Sequence, residues 1–116
     1  RVDVLLPDGR RKTVGVSRGG TDLDGTMKVR DIWAVAVRIP ADLPEGLAEN
    51  LMSDSWSSRT IGSWAFAGRT TDARQVLVYL ARIPMTTSRR FLIAALQDVA
   101  MSALDMQVAL SSLEGG

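Results

Sequence analysis

The sequence predicts a single α+β domain over residues 1–116: a five-stranded antiparallel sheet in the order β-β-β-α-β-β-α, with a short helix and a long C-terminal helix packed on it. Three observations lead to this fold class. Residues 1–39 and 59–83 contain runs of alternating side chains between turn-forming residues, as strands do. Residues 41–56 and 88–113 repeat apolar residues at helical spacing. The chain has 116 residues, 46% of them hydrophobic, which suffices for one buried core.

The first two strands form a hairpin. Val2, Val4 and Leu6 alternate with Arg1 and Asp3, and residues 12–17 return along them. The connection Pro7-Asp8-Gly9-Arg10 is a turn, since glycine readily takes a positive φ. Residues 18–26, "RGGTDLDGT", then read as a polar, glycine-rich connection.

The third strand, residues 27–39, is the longest. Strict alternation divides it into an expected core face and a wetter face. The core face would hold Val29, Trp33, Val35, Val37 and Ile39. The wetter face would hold Lys28, Arg30, Ala34, Ala36 and Arg38. Pro40 is expected to end the strand.

A short helix is predicted over residues 41–56. Asp42 is its expected N-cap, and Pro44 and Glu45 suit the first turn. An apolar stripe would face the sheet, formed by Leu43, Leu47, Leu51 and Met52.

The fourth and fifth strands are apolar on both faces. In residues 59–67, Gly62, Trp64 and Phe66 share one face, and Ile61, Ser63, Ala65 and Ala67 share the other. In residues 74–83, Val76, Val78 and Leu80 oppose Leu77, Tyr79, Ala81 and Ile83. Exposing two large aromatic side chains would forgo about 3–6 kcal/mol of burial. We therefore expect the long helix to cover the aromatic face, which leaves a surplus apolar face.

The long helix is predicted from a cap at Thr87 or Ser88 to about Leu113. Its main stripe repeats every seven residues through Leu92, Leu96, Val99, Ala103, Met106, Leu110 and Leu113. A second, poorer stripe runs through Phe91, Ala94, Met101 and Val108. Such a helix would be about 38 Å long, so we expect one end to extend beyond its own sheet.

Composition argues against enzymatic chemistry. The chain has neither Cys nor His, which removes Ser-His-Asp and Cys-His catalysis and the usual zinc sites. "DLDG" at residues 22–25 lacks the later ligands of a calcium loop. Around the acidic pairs Asp22/Asp24 and Glu45/Glu49, the sequence indicates no cleft in which two carboxylates could act as general acid and base. We therefore expect no catalytic site, no metal and no cofactor.

The expected location is the cytoplasm, away from membranes. No apolar run approaches the roughly 20 residues that span a bilayer, and no signal-peptide pattern opens the chain. The chain begins at Arg1 in a strand-like run, which indicates a piece of a longer protein. The net charge of +1 is not that of a dedicated nucleic-acid binder, although a local patch can still form.

Three stretches resemble one known family along nearly the whole chain. They are "VLLPDGRRKTVGV", "GLAENLMSDSWSSRTIGSWAF" and "VLVYLARIPMTTSRRFLIAALQDVAMSAL". Together they resemble the YbjN-like family, whose members have the type III secretion chaperone-like fold. That fold usually begins with a helix, which has no counterpart here. The resemblance implies a bacterial protein that forms homodimers and holds a protein client on apolar surface without an ATP cycle.

The predicted function is therefore non-enzymatic protein binding, chaperone-like or regulatory. The inner part of the main helix stripe, Leu92, Leu96, Val99 and Ala103, should hold the helix on its sheet. The predicted partner-binding residues are Ile61, Ala65, Val76, Val78, Leu80, Met106, Leu110 and Leu113. The alternative is a regulator that binds nucleic acid or a small ligand through basic residues such as Arg10, Arg11 and Lys12.

Overall fold

The structure is a computed structural model that describes residues 1–17, 20–23, 25, 27–40 and 42–111, with the backbone alone at 21–23 and 69. Its elements are β1 (Val2–Leu5), β2 (Arg11–Val16), β3 (Thr21–Leu23), β4 (Met27–Pro40), α1 (Leu47–Ser57), β5 (Gly62–Arg69), β6 (Arg74–Pro84) and α2 (Arg89–Ala109). Five strands form an antiparallel sheet in the spatial order β1-β2-β4-β6-β5, and both helices pack on it. This confirms the predicted α+β fold class.

The opening hairpin is present as predicted, and the connection after it contains a short strand. Val2 pairs with Val14 and Leu5 with Arg11 across a turn in which Gly9 has a φ of 91°. β3 pairs with the start of β4, whereas β2 pairs with its middle, so β3 continues along the same edge of β4. Within the connection, residues 18, 19, 24 and 26 lie outside the described part of the chain.

The predicted faces of the longest strand are partly wrong, because a β-bulge interrupts β4. The register moves between Val35, which pairs with Val78, and Val37, which pairs with Leu77. One extra residue on one strand reverses which side chains face the core. Val37 and Ile39 are buried under the helices as predicted, but Trp33 and Val35 lie on the opposite face. The alanines assigned to the wetter face, Ala34 and Ala36, are buried.

The short helix begins later than predicted. Pro44 accepts a hydrogen bond from the backbone N–H of Leu47, so residues 44–47 form a turn. The N-cap position is Gly46, which has a φ of 80°. Asp42 therefore does not cap the helix. α1 contacts β5, and Leu51 is its buried side chain.

β5 and β6 carry their side chains on the predicted faces. Trp64 pairs with Tyr79 and Phe66 with Leu77 beneath the helices, while Ala65 pairs with Val78 on the other side. The core side of β6 is almost entirely buried: Leu77, Tyr79, Ala81 and Ile83 are at most 2% exposed.

The long helix lies across the sheet along its described length. Ser88 caps α2 by accepting the N–H of Phe91, as predicted. α2 contacts β1, β2, β4 and β6, and Arg10 in the hairpin turn binds Asp105 near its C-terminal end. The helix end through Leu110 therefore does not extend past the sheet in this globular domain, whose Cα radius of gyration is 14.7 Å. The predicted end at Leu113 lies outside the described residues.

α2 is more apolar than the sequence analysis expected. Among the described residues it is the one helix whose length and composition would allow it to span a membrane, with a mean hydropathy of 1.3. In this fold Ala95, Val99 and Ala103 are fully buried against the sheet, although only 28% of the apolar stretch is buried in all. An apolar inner face is also what a core helix needs.

Candidate functional site

The candidate site is the face of the sheet opposite the two helices, here called the outer face. Its centre is two rows of side chains set by strand register. In one row Trp33 of β4 lies beside Leu80 of β6. In the next row Val35, Val78 and Ala65 lie side by side across β4, β6 and β5. The outer face therefore has an apolar centre.

Four of the predicted partner-binding residues lie together here. Ala65, Val76, Val78 and Leu80 occupy alternate positions of β5 and β6, and the pairing of Ala65 with Val78 brings the two strands into contact. Val78 is only 6% exposed, while the other three are partly exposed. The surplus apolar face expected from the sequence is thus present, and whether it binds a partner stays a prediction.

Trp33 and Val35 belong to the same surface, although the sequence analysis placed them in the core. The indole of Trp33 lies flat on the backbone of Gly15, so that a Cβ at position 15 would collide with the ring. Glycine at this point of β2 is what lets the ring lie down on the sheet. The signal that could have revealed this placement is the run of small residues at Ala34 and Ala36, which suits a helix packed closely on that side.

A basic depression adjoins the apolar centre. It has a volume of about 360 Å³. Its lining residues are Arg1, Arg11, Lys12, Thr13, Gly15, Trp33, Ala34, Val35 and Arg38. Within the described part of the chain, no carboxylate lies within 4.0 Å of the guanidinium groups of Arg11 and Arg38.

The opposite end of the outer face is electrically balanced. Asp31 and Arg82 occupy paired positions on β4 and β6, and Arg82 Nε donates to Asp31 Oδ1 at 3.0 Å. Beside the basic depression, Thr13 Oγ1 donates to Asp3 Oδ1 at 2.8 Å. Asp31 is thus paired with an arginine, whereas Asp3 keeps its charge, and the three arginines that line the depression, Arg1, Arg11 and Arg38, leave it with excess positive charge.

The basic triad of the alternative hypothesis does not form one patch. Arg10 pairs with Asp8 at 2.8 Å and with Asp105 at 3.0 Å. Lys12 reaches the helix side of the sheet, where its Nζ lies 3.5 Å from Gln107 Oε1. Strand alternation places Arg11 on the outer face, away from its two neighbours.

The remaining predicted partner-binding residues lie elsewhere. Ile61, Met106 and Leu110 are partly buried and pack against the molecule's own core. Leu113 lies outside the described residues. Ile61, Met106 and Leu110 therefore offer a partner less surface than predicted, because they already pack on the core of their own chain.

Two helical surfaces expose apolar side chains that the prediction did not include. On α2, Met101 is 37% and Val108 is 70% exposed, and both belong to the poorer stripe noted in the sequence. On α1, Met52 is 73% and Trp56 is 90% exposed. The prediction that Met52 belongs to the stripe facing the sheet is therefore wrong. Spacings of seven and four residues place the members of each pair on one side of their helix.

A polar cluster joins the helices to the sheet. Asp54 accepts hydrogen bonds from Trp64 Nε1 at 2.6 Å and from Arg59 Nε at 2.8 Å. Arg59 also donates to Ser102 at 3.2 Å, and its guanidinium lies over the rings of Trp64 and Tyr79. Burial opposes ionisation of Asp54, but its hydrogen bonds with Arg59 and Trp64 outweigh it and lower the pKa of that carboxyl.

Tyr79 is the most isolated polar group of this cluster. Its side chain is fully buried, and burial, with the nearby charge of Asp98, raises the pKa of Tyr79 to about 12. Asp98 and Ser102 lie beside the hydroxyl and both influence its pKa, but no described residue makes a hydrogen bond of normal geometry with it. The hydrogen bonds of this cluster connect α1, β5 and α2, which indicates a structural role.

Comparison with protein-family models, with curated proteins and with solved structures finds no match. The resemblance to the YbjN-like family therefore stays a proposal. In the described part of the chain, no three His, Cys, Asp or Glu residues are grouped so that they would hold a metal ion. The outer face supplies apolar contact and guanidinium groups, which suit binding.

Proposed function

We propose that this chain is a non-enzymatic protein-interaction domain, chaperone-like or regulatory, that holds a protein partner on the outer face. One observation carries the proposal: the centre of the sheet is apolar on both faces, but both helices pack on the same side. Antiparallel sheets that face water on one side usually carry polar residues there. Here the exposed centre is formed by Trp33, Val35, Val76, Ala65 and Leu80 instead.

The proposed mode of binding needs no chemistry beyond surface burial. Covering a large apolar side chain completely is worth about 1.5–3 kcal/mol, and partly exposed side chains supply a fraction of that each. Several such contacts, spread over two rows, would hold an extended or partly folded segment. Location in the cytoplasm and kinship with the YbjN-like family are part of the same proposal, and they rest on the sequence rather than on this surface.

The proposed partners also include a second copy of the chain. α2 turns Met101 and Val108 away from its own sheet. A helix that is apolar nearly all round is usually covered on more than one side. A homodimer would provide that cover while leaving the outer face for the client.

The experiment that tests client binding uses an unfolded protein of known behaviour. The chain should suppress the aggregation of reduced insulin, measured by light scattering without ATP. Leu80→Glu should weaken that protection because it places a charge in the centre of the outer face. The matched control is Met52→Glu, which adds the same charge to an exposed position on α1.

Circular dichroism should show the same helix and strand content in both variants. Loss of protection in Leu80→Glu, with protection kept in Met52→Glu, would support the proposal. Equal protection by Leu80→Glu and the unmodified chain would contradict it, since the outer face would then take no part in binding.

A second candidate function is single-stranded nucleic-acid binding. The observation that favours it is the partly exposed indole of Trp33 in the same depression as Arg11 and Arg38, since bases stack on aromatic rings beside basic groups. A single-stranded RNA should then shift in a gel, with affinity that falls steeply with salt. Arg11→Glu should abolish the shift, whereas reversing Arg10, which is already paired, should change it less.

A further inference from the structure

We infer that the protein segment bound on the outer face is acidic as well as apolar, with carboxylates over Arg11 and Arg38 and apolar side chains over Trp33, Val35 and Leu80. This inference rests on the proposed function, because it names the chemistry of the partner that the same surface would hold. It adds a charge requirement that general binding of unfolded protein does not have.

The first argument is the distribution of ion pairs. Arg10, Arg59, Arg74 and Arg82 each pair with a carboxylate of the same chain. Arg11 and Arg38, by contrast, line the basic depression with no carboxylate within 4.0 Å among the described residues. Arg38 contributes to lowering the pKa of Asp72, but that carboxylate hydrogen-bonds Thr70 and pairs with Arg74.

The second argument is that the basic depression and the apolar centre are continuous. Trp33 and Val35 belong to both, since they line the depression and also form the β4 side of the two apolar rows. An occupant of the whole surface therefore needs negative charge at the β2 side and apolar groups toward β5. A polypeptide segment can carry both within a few residues.

The third argument separates this occupant from a nucleic acid. Beyond Trp33, the outer face is aliphatic, formed by valine, leucine and alanine side chains of β4, β5 and β6. Single-stranded nucleic acids bind through successive aromatic stacking and a basic groove that follows the backbone. Among the described residues, Trp33 is the one aromatic side chain within the two apolar rows, and Trp56 of α1 adjoins them only at Leu80. A nucleic acid would therefore leave most of the apolar centre unused.

The fourth argument separates it from a second copy packed face to face. A two-fold contact brings the same patch of each copy together. The unpaired charges of Arg11 and Arg38 would then face their own counterparts. Among the described residues of this face, Asp31 is already paired with Arg82. Asp3 accepts a hydrogen bond only from the neutral Thr13 hydroxyl, but it is one carboxylate against the three arginines of the depression, so it would offset only part of that repulsion.

The test uses three labelled peptides of one length: alternating Leu and Glu, alternating Leu and Gln, and alternating Leu and Lys. Fluorescence anisotropy should show the Leu-Glu peptide binding roughly three- to tenfold more tightly than Leu-Gln, the gain expected from two exposed charge contacts. High salt should reduce that preference. The Leu-Lys peptide should bind most weakly.

The variant Arg11→Gln with Arg38→Gln should remove the preference for Leu-Glu while keeping the affinity for Leu-Gln. The matched control is Arg89→Gln with Arg90→Gln. It removes the same charge from exposed side chains at the start of α2, on the other side of the sheet, and should keep the preference. Arg11→Lys with Arg38→Lys should restore part of it. The four positions that these variants change are exposed, and circular dichroism should confirm an unchanged fold.

The outcomes separate the inference from the function on which it rests. Equal binding of Leu-Glu and Leu-Gln, both weakened by Leu80→Glu, would overturn the charge requirement and leave protein binding in place. If the Arg89→Gln/Arg90→Gln control lost the preference for Leu-Glu to the same extent, the inference would also be overturned. The preference would then depend on the total positive charge of the chain and not on Arg11 and Arg38. If a single-stranded RNA bound and no peptide did, both proposals would fail.

Discussion

Trp64 donates its indole N–H to Asp54 Oδ2 at 2.6 Å, and this bond ties the C-terminal half of α1 to the edge strand β5. The backbone N–H of the same tryptophan donates to Ser55 Oγ at 3.0 Å. α1 thus satisfies two donors of one residue on the strand. These contacts explain how a short helix with a single buried side chain, Leu51, keeps its place on the sheet.

Replacing Asp54 should therefore loosen α1. We expect Asp54→Ala to lower the free energy of unfolding by about 2–3 kcal/mol, because it leaves the partly buried donors of Trp64 and Arg59 without their acceptor. Asp54→Asn keeps an acceptor for Trp64 and should cost about 1 kcal/mol. Urea denaturation followed by circular dichroism measures both. Asp105→Asn, which breaks an exposed ion pair, is the control and should change little; an equal loss there would contradict the prediction.

Acid should weaken the contact that Asp54 makes between α1 and β5. Burial opposes ionisation of Asp54, but Arg59 and Trp64 lower its pKa below the ordinary 3.8. The stabilisation is therefore present above about pH 4 and is lost as the pH falls through the lowered value. The pKa values of Asp8 and Asp72 are also lowered, by hydrogen bonds from the Arg10 backbone and Thr70 respectively. Comparing the pH dependence of unfolding in Asp54→Asn and the unmodified chain isolates Asp54, and identical slopes would contradict its role.

The sequence predicted the faces of β5 and β6 correctly and those of β4 only in part. In β5 the pairing register is uninterrupted from Gly62 to Phe66. Strict alternation of side chains therefore places Trp64 correctly on the face that the helices cover. In β4 the bulge after Val35 adds one residue, and no turn residue marks it. Trp33 was therefore placed in the core, and the main aromatic of the outer face was missed.

The helical pattern of α2 predicted that it packs on the sheet, but not on which strands or with which side chains exposed. The long helix was expected to cover the aromatic strand, whereas α1 is the helix that packs on β5 and α2 packs on β1, β2, β4 and β6. The main stripe and the poorer stripe are both apolar, and a heptad pattern alone does not show which one faces a sheet. The structure buries Ala95 and Val99 and exposes Met101 and Val108. Contacts such as that between Arg10 and Asp105 join residues far apart in the chain, so local sequence carries no sign of them.

Gly62→Ala should destabilise the fold through crowding against Tyr79. A Cβ at position 62 would lie 2.5–2.7 Å from three atoms of the Tyr79 side chain. That side chain is fully buried under α2, so it has no room to move away. We expect a loss of about 1–3 kcal/mol, the usual cost of overpacking. Ser63→Ala, at an exposed position of the same strand, should be nearly neutral in the same thermal unfolding measurement.

Tyr79→Phe should leave the stability at neutral pH unchanged or slightly higher. The hydroxyl is buried beside Asp98 and Ser102 but makes no hydrogen bond of normal geometry with a described residue, so removing it should cost little. The raised pKa of about 12 favours the neutral form in the folded state. The unmodified chain should therefore lose stability as the pH rises from about 10 towards 12, by roughly 2–3 kcal/mol in all.

The alkaline effect can be measured directly because the chain has one tyrosine. Ultraviolet titration should show the folded protein ionising near pH 12 or on unfolding, and denatured protein near pH 10. Tyr79→Phe should remove the matching part of the alkaline loss of stability. Ionisation of the folded protein near pH 10 would show that the hydroxyl is solvated, contrary to its place in this fold.

Self-association should depend on the outward stripe of α2. Light scattering after size exclusion should show the chain to be a dimer, and Met101→Glu with Val108→Glu should weaken that dimer at least about tenfold, since both copies lose apolar contact. Leu110→Asp is a poorer test because Leu110 packs on the core and its loss would disturb the fold. Met52→Glu with Trp56→Glu is the matched control on α1 and should leave the dimer intact. A dimer broken only by the α1 pair would move the contact to that helix, and a monomer at every concentration would contradict self-association altogether.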